Sequence, residues 1–253
     1  SHPELMAANA KKAATLGAPA IDLNFGCPAK TVNRNRGGAV LLDTPDEVHE
    51  IVKAVRQAVP AHIPVTAKMR LGVKDKSLAL DNAHAVADAG ANGLAVHART
   101  KIEGYRPPAH WEWIARIREA IHIPVTANGE IWNFDDYQRC RAVSGCDDIM
   151  IGRGLIASPD LGVQIKQRLA EQPENRMSWA DICTLLLKYQ SMLETQVAGK
   201  YVHGRIKQWL HMMRNNYSEI AQLFPVIKSV SDPADVRAIL EHQIELSRSA
   251  VAC

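Results

Sequence analysis

Up to Ile151 the apolar residues come in short runs, and each run stops at, or one glycine before, a polar or ionisable group. Ile21 and Leu23 lead to Asn24, and Val65-Thr66-Ala67 leads to Lys68. Leu94-Ala95-Val96 leads to His97, Val125-Thr126-Ala127 leads to Asn128, and Ile149-Met150-Ile151 leads to Gly152. Runs this short, rich in β-branched residues, predict strands over 20–24, 64–69, 93–97, 124–128 and 147–151. The stretches around them change to a helical period. Met6, Ala10 and Ala13 fall on one face of a predicted helix over 3–16, with Pro3 suited to its first turn and Gly17 to its end. Further helices are predicted over 46–58, 78–89, 111–120 and 135–143.

Two repeats lie on this alternation. Leu16-Gly17-Ala18, Ala89-Gly90-Ala91 and Ser144-Gly145-Cys146 each lead from a helix into a strand. His62-Ile63-Pro64-Val65-Thr66-Ala67-Lys68 recurs almost unchanged as His122-Ile123-Pro124-Val125-Thr126-Ala127-Asn128, sixty residues on. Alternating buried strands and helices predict a parallel sheet, and a duplication two βα units long predicts a (β/α) barrel. An open doubly wound sheet would usually carry a GxGxxG turn after an early strand, and there is none. A closed barrel has eight strands, whereas this chain shows five and opens on a helix. The expectation is an α/β chain: a TIM (β/α)8-type barrel lacking its first three strands, followed by an all-helical domain.

After Pro159 no strand pattern remains, and helices are predicted over 160–171, 178–197, 201–217 and 232–246. With Pro173-Glu174-Asn175 as a hinge, residues 1–171 form the partial barrel and 172–253 the helical domain. Ile206, Leu210, Met213 and Tyr217 make a buried stripe, with Lys207, His211 and Arg214 on a neighbouring basic face.

Composition narrows the function classes. Of 253 residues 47% are hydrophobic and 23% charged, as in a soluble globular protein, and no apolar run reaches membrane-spanning length. A net charge of +3 is modest, but its distribution is uneven. No acid lies between Asp22 and Asp43 or between Glu194 and Glu219, while Lys30, Arg34, Arg36, Lys200, Arg205, Lys207 and Arg214 do. Two such windows point to a polyanion-facing surface, against the plainer reading of a solvated face. The cysteines (27, 140, 146, 183 and 253) are odd in number and form no CxxC pair. That argues against a disulfide framework and a zinc site and for a reducing compartment, in line with an expected cytoplasmic location.

The strand ends gather the candidate chemistry: Asn24 and Cys27, Lys68 and Arg70, His97 and Arg99, Asn128 and Glu130, Gly152 and Arg153. In a barrel these ends converge on the face that holds active sites. Gly26 and Pro28 put Cys27 on a rigid turn, which a cysteine serving only as a small buried hydrophobe does not need. Lys68, two positions after Thr66, points into the barrel mouth or bears a large desolvation cost. Asn128-Gly129-Glu130 and Gly152-Arg153-Gly154 follow the last two strands, where barrels often bind phosphate.

Taken together, Asn24-x-Gly26-Cys27-Pro28, Arg36-Gly37-Gly38-Ala39, Lys68-Met69-Arg70-Leu71-Gly72, His97-x-Arg99-Thr100, Asn128-Gly129-Glu130-Ile131 and Ile151-Gly152-Arg153-Gly154 resemble the tRNA-dihydrouridine synthases. Glu130 and the helical Arg205-Ile206-Lys207-Gln208-Trp209-Leu210 resemble the C-type bacterial subfamily, associated with uridine 16 of the tRNA D-loop. The resemblance implies a monomeric FMN enzyme that reduces a uridine C5–C6 bond with NADPH, Cys27 donating the proton. It implies cofactor contacts from Lys68, His97, Arg99, Asn128, Gly129, Glu130, Gly152 and Arg153, and tRNA contacts from Asn24, Tyr105, Arg205 and Lys207. Met212 departs from the tyrosine expected at its helical position, and the family's opening Ala-Pro-Met strand and third-strand Gln have no counterpart in the chain. Two rivals stay open: a small-molecule flavin oxidoreductase on the same barrel, and an inactive fragment that binds tRNA.

Overall fold

The computed structural model describes residues 2–251, so Cys253 and the last residues of the expected helical domain lie outside the described residues. Helix α1 (Pro3–Thr15) precedes five strands, β1 (Ile21–Phe25), β2 (Val65–Arg70), β3 (Gly93–His97), β4 (Val125–Asn128) and β5 (Ile149–Met150). Between them lie α2 (Lys30–Arg34), α3 (Pro45–Ala58), α4 (Ala79–Asp88), α5 (Trp111–Ala120) and α6 (Phe134–Ser144). All five predicted strands are present. The short α2 and the 3-10 turn over Gly38–Asp43 carry no apolar period and were not predicted.

The strands pair in parallel in the order β1-β2-β3-β4-β5. The order never reverses, so the sheet has no topological switch point, which sets it apart from a doubly wound fold. It is a five-strand run of barrel type, with β1 and β5 at its edges.

Side chains alternate between the two faces. Leu23, Phe25, Val65, Ala67, Met69, Leu94, Val96 and Ala127 point to the helix-covered side and are buried. There they meet Val48, Ile51, Val52 and Val55 of α3, each worth about 1.5–3 kcal/mol on burial. The other face carries Asp22, Asn24, Thr66, Lys68, Arg70, His97, Thr126 and Asn128. The register places Asn24 beside Lys68, Arg70 beside His97 and His97 beside Asn128.

The duplicated segment has the same job in both copies. Ile21 N–H donates to the Pro64 carbonyl at 2.9 Å, and Leu94 N–H donates to the Pro124 carbonyl at 2.9 Å. Each proline, unable to donate, stands just before a strand and offers its carbonyl to an N–H at the start of the preceding strand: Ile21 is the first residue of β1 and Leu94 the second of β3. Asn92 adds a second tie: its N–H donates to the Val65 carbonyl and its side-chain oxygen accepts from Val65 N–H, at 2.7 and 2.8 Å.

The second unit comprises α7 (Arg153–Ala157), α8 (Leu161–Leu169), α9 (Trp179–Gln196), α10 (Val202–Met213), α11 (Glu219–Ile227) and α12 (Pro233–Val251). It has its own core of Trp179, Ile182, Leu186, Ile206, Leu210 and Met213, among others. Helix α9 starts on a capping box: Ser178 accepts from Asp181 N–H, and the Asp181 carboxylate accepts from Ser178 N–H. Helix α11 was not predicted; Pro225 lies inside it and removes one N–H donor from its second half.

The sequence reading puts the domain boundary at 171/172, whereas the compact units divide at Gly152/Arg153, with Trp132–Phe134 grouped with the helical unit. The hydrogen bonds of α7 and α8 explain the earlier division. Trp209 donates from its indole to the Ile156 carbonyl at 2.8 Å, and Asn216 donates to the Ala157 carbonyl at 2.9 Å. The Asp160 carboxylate accepts from Met177 N–H at 2.7 Å. Among the described residues no helix is long and apolar enough to cross a membrane.

Candidate functional site

Cys27 follows β1 on a turn closed from three sides. Its carbonyl accepts from the Asn33 amide at 2.8 Å and from Ala39 N–H at 3.0 Å. The same Asn33 amide donates to the Gly37 carbonyl at 2.9 Å. Gly38 sits at φ +68°, and a Cβ there would lie 2.7 Å from the Cys27 carbonyl oxygen, so only glycine fits. Asn24 accepts from Gly26 N–H at 2.9 Å, which fixes the approach to the turn. The thiol is half-buried. By contrast, burial pushes the Cys140 and Cys183 thiols up to about 12, which leaves them inert.

Lys68 shares the uncovered face with Asn24. Burial holds its ammonium below the ordinary lysine value, Arg70 adds repulsion, and Asp22 partly offsets both. Such a lysine is cheapest to ionise when an electron-rich partner is bound beside it.

His97 and Asn128 end their strands as buried polar groups. The Asn128 amide donates to the Met150 carbonyl at 2.7 Å and so ties β4 to β5. Gly129 has φ +122°, and a Cβ there would come within 3.3 Å of the His97 ring. Glu130, also left-handed at φ 60°, turns its carboxylate onto the Arg99 guanidinium. Arg99 is fully buried: its Nε donates to the carbonyls of Arg106 at 2.6 Å and Pro108 at 3.2 Å, while Nη1 has no acceptor among the described residues. Tyr105 is about half exposed and meets the His97 ring edge-on, centroids 6.1 Å apart.

Two residues outside the expected cofactor and tRNA contacts support these groups. The Trp111 indole donates to the Gly129 carbonyl at 2.9 Å. Arg70 is buried beneath the Tyr105 ring. Arg70 was readable as a strand-end residue two positions after Lys68 on the same face; nothing in the sequence pointed to Trp111.

Gly152 closes β5 with open space where a Cβ would be. Arg153 belongs to the second unit, its guanidinium 4.9 Å from the centre of the Trp132 ring. Also in that unit, Arg205 projects from α10 and makes a long 3.4 Å bond to Gln208. Lys207 differs from the expected basic face. Its ammonium donates to the Lys228 carbonyl at 2.9 Å and to that of Val230, capping the end of α11.

Residues 1–247 match the family described as Dihydrouridine synthase. The chain belongs to the dihydrouridine synthase family. It is 55% identical over 92% of its length to a protein of Aquipseudomonas alcaligenes named tRNA-dihydrouridine(16) synthase, covering 74% of that protein. Proteins of the same name from Pseudomonas putida and Ralstonia nicotianae are 50% and 51% identical over 100% and 96% of this chain, and 78% and 74% of their own lengths are covered. Among solved structures, an old yellow enzyme homologue from Zymomonas mobilis aligns over 69% of this chain and 52% of its own, with 14% identity and a TM-score of 0.46.

Proposed function

We propose that this chain reduces a tRNA uridine to 5,6-dihydrouridine, at position 16 of the D-loop, with FMN as its cofactor and NADPH as the reductant. The observation that carries this reading is the thiol of Cys27, held on a fixed turn at the rim of a polar sheet face that also presents Lys68.

The residues present fit a flavin phosphate and ring. Arg99 Nη1 is a buried donor lacking an acceptor among the described residues. The missing Cβ of Gly129 opens a cradle against His97. Lys68 is the cation that an anionic ring edge would stabilise. Asn128, Glu130, Gly152 and Arg153 complete the set proposed to hold the cofactor. Bound FMN, reduced by NADPH, supplies the hydride that the uracil C6 receives.

Cys27 then completes the reaction. Its Sγ–H gives a proton to uracil C5, and the thiolate regains one from solvent. The rigid turn matters because proton transfer requires the thiol at hydrogen-bond distance from C5. The uracil must leave the RNA stack to reach this face, and Tyr105 offers it an aromatic surface. Asn24 lies at the same rim. On the helical unit Arg205 supplies phosphate pairing, and Lys207 acts at that surface while anchoring α11. The protein acts as a monomer in the cytoplasm.

Titration with FMN, followed by tRNA reduction with NADPH, tests the reading. One flavin per chain, and Cys27→Ala binding flavin normally while losing most turnover, is the expected result. Reduction of free uridine at the same rate as tRNA would favour the small-molecule reading and overturn this one.

A further inference from the structure

Arg70 is 3% exposed, and its guanidinium serves two loops far apart in sequence. Nε donates to the Gly26 carbonyl at 2.9 Å, on the residue just before Cys27. Nη1 donates to the Thr100 carbonyl at 3.1 Å and the Gly104 carbonyl at 2.9 Å, on the residue just before Tyr105. The planar group also lies 5.3 Å from the centre of the Tyr105 ring.

The spending of a buried charge on three main-chain carbonyls calls for an explanation. Burying an arginine is expensive unless every donor finds a partner. A hydrophobic side chain would fill the volume at lower cost, but it could not fix two carbonyls from different loops at once. Only a planar fork with several donors joins them in one geometry; a lysine offers a single point charge. The Tyr105 loop is independently closed below this contact. The Glu103 carboxylate accepts from Thr100 N–H at 2.6 Å and pairs with His110 at 2.8 Å. That loop is therefore a stiff body, and Arg70 is its bond to the Cys27 turn.

We propose that Arg70 is a positioning residue that holds the Cys27 turn and the Tyr105 loop in a single fixed spacing, so that the proton donor and the aromatic surface for the base move together. This rests on the roles given above to Cys27 and Tyr105. Arg70 itself need not touch the substrate.

Three variants of the flavin-loaded chain test it: Arg70→Lys, Arg70→Met and Tyr105→Leu. Amide hydrogen exchange needs no turnover and reads the staple directly. In both Arg70 variants exchange over 26–39 and over 100–106 is expected to speed up together by about tenfold, with α9 and α10 unchanged. The turnover number for tRNA is expected to fall about a hundredfold, as for a displaced reacting group, and Arg70→Lys should not rescue it. Tyr105→Leu removes the aromatic surface but none of the three carbonyl bonds, so it should raise KM for tRNA while exchange over 26–39 stays at the wild-type rate. Arg70→Lys with wild-type protection and wild-type kcat overturns the proposal, as does faster exchange in one loop only. Should Arg70→Met not fold, Arg70→Lys decides. If the unaltered protein reduces no tRNA, the functional reading fails, while the exchange result still decides the staple.

Discussion

Lys68 shows how a single side chain trades stability for chemistry. Its pKa is depressed in the folded protein relative to the ordinary 10.5, chiefly by burial. The unfolded chain therefore binds more protons at this site, and stability rises with pH through the interval between the two values. The penalty is full below the folded pKa and gone above 10.5. Lys68→Met should raise the melting temperature at pH 7, with the gain shrinking as the pH approaches 10.5, and should weaken flavin binding. Equal gains at both pH values would refute burial as the source of the depressed pKa. Gly38→Ala tests the neighbouring turn: the added methyl would press on the Cys27 carbonyl, so turnover should drop severalfold more than melting temperature predicts. Lys68 was legible in the sequence because a strand's period of two dictates which face it takes. The partners of Arg70 were not, since they lie 30 to 44 residues away on loops whose path the strand pattern does not specify.

At the scale of elements, local chemistry decides where helices begin and end. Ser178→Ala removes one half of the α9 capping box and should cost about 1 kcal/mol, measured by urea unfolding of the helical unit. The strands and the long amphipathic helices were legible because periodicity alone specifies them. Helix α2 and the 3-10 turn were not, because they follow from the hydrogen bonds around Cys27 rather than from an apolar face. Helix α11 was hidden by Pro225, and what lies beyond its end is held by Lys207, a side chain on another helix. That contact also explains why the basic face of α10 is poorer in free charge than its sequence implies. Arg205→Ala should lower the salt slope of tRNA binding by about one unit, whereas Lys207→Ala should in addition destabilise α11.

The molecule as a whole consists of two units with separate cores. Leu210, fully buried in the helical unit, reports on one of them. Leu210→Ala should cost that unit about 2–5 kcal/mol while leaving the unfolding of the sheet unit unshifted, as resolved by calorimetry. A matching shift in both transitions would show that they unfold as one.

The sheet's two ends answer to different demands. At the floor, Pro64 and Pro124 accept an N–H from the start of a neighbouring strand, and Asn92 clasps Val65 from both sides. Alignment is thus fixed before any strand reaches its chemical end. The rim, with Cys27, Tyr105 and Glu130, inherits that alignment without having to create it. Residues can be exchanged, lengthened or re-aimed there while the strands stay in step. A one-residue insertion between Pro64 and Lys68 would turn the rim side chains of β2 that follow it to the wrong face, whereas an insertion in a rim loop leaves the strands in step. The repeated floor turn is in this sense a clock for the sheet, leaving the opposite edge free to change its substrate.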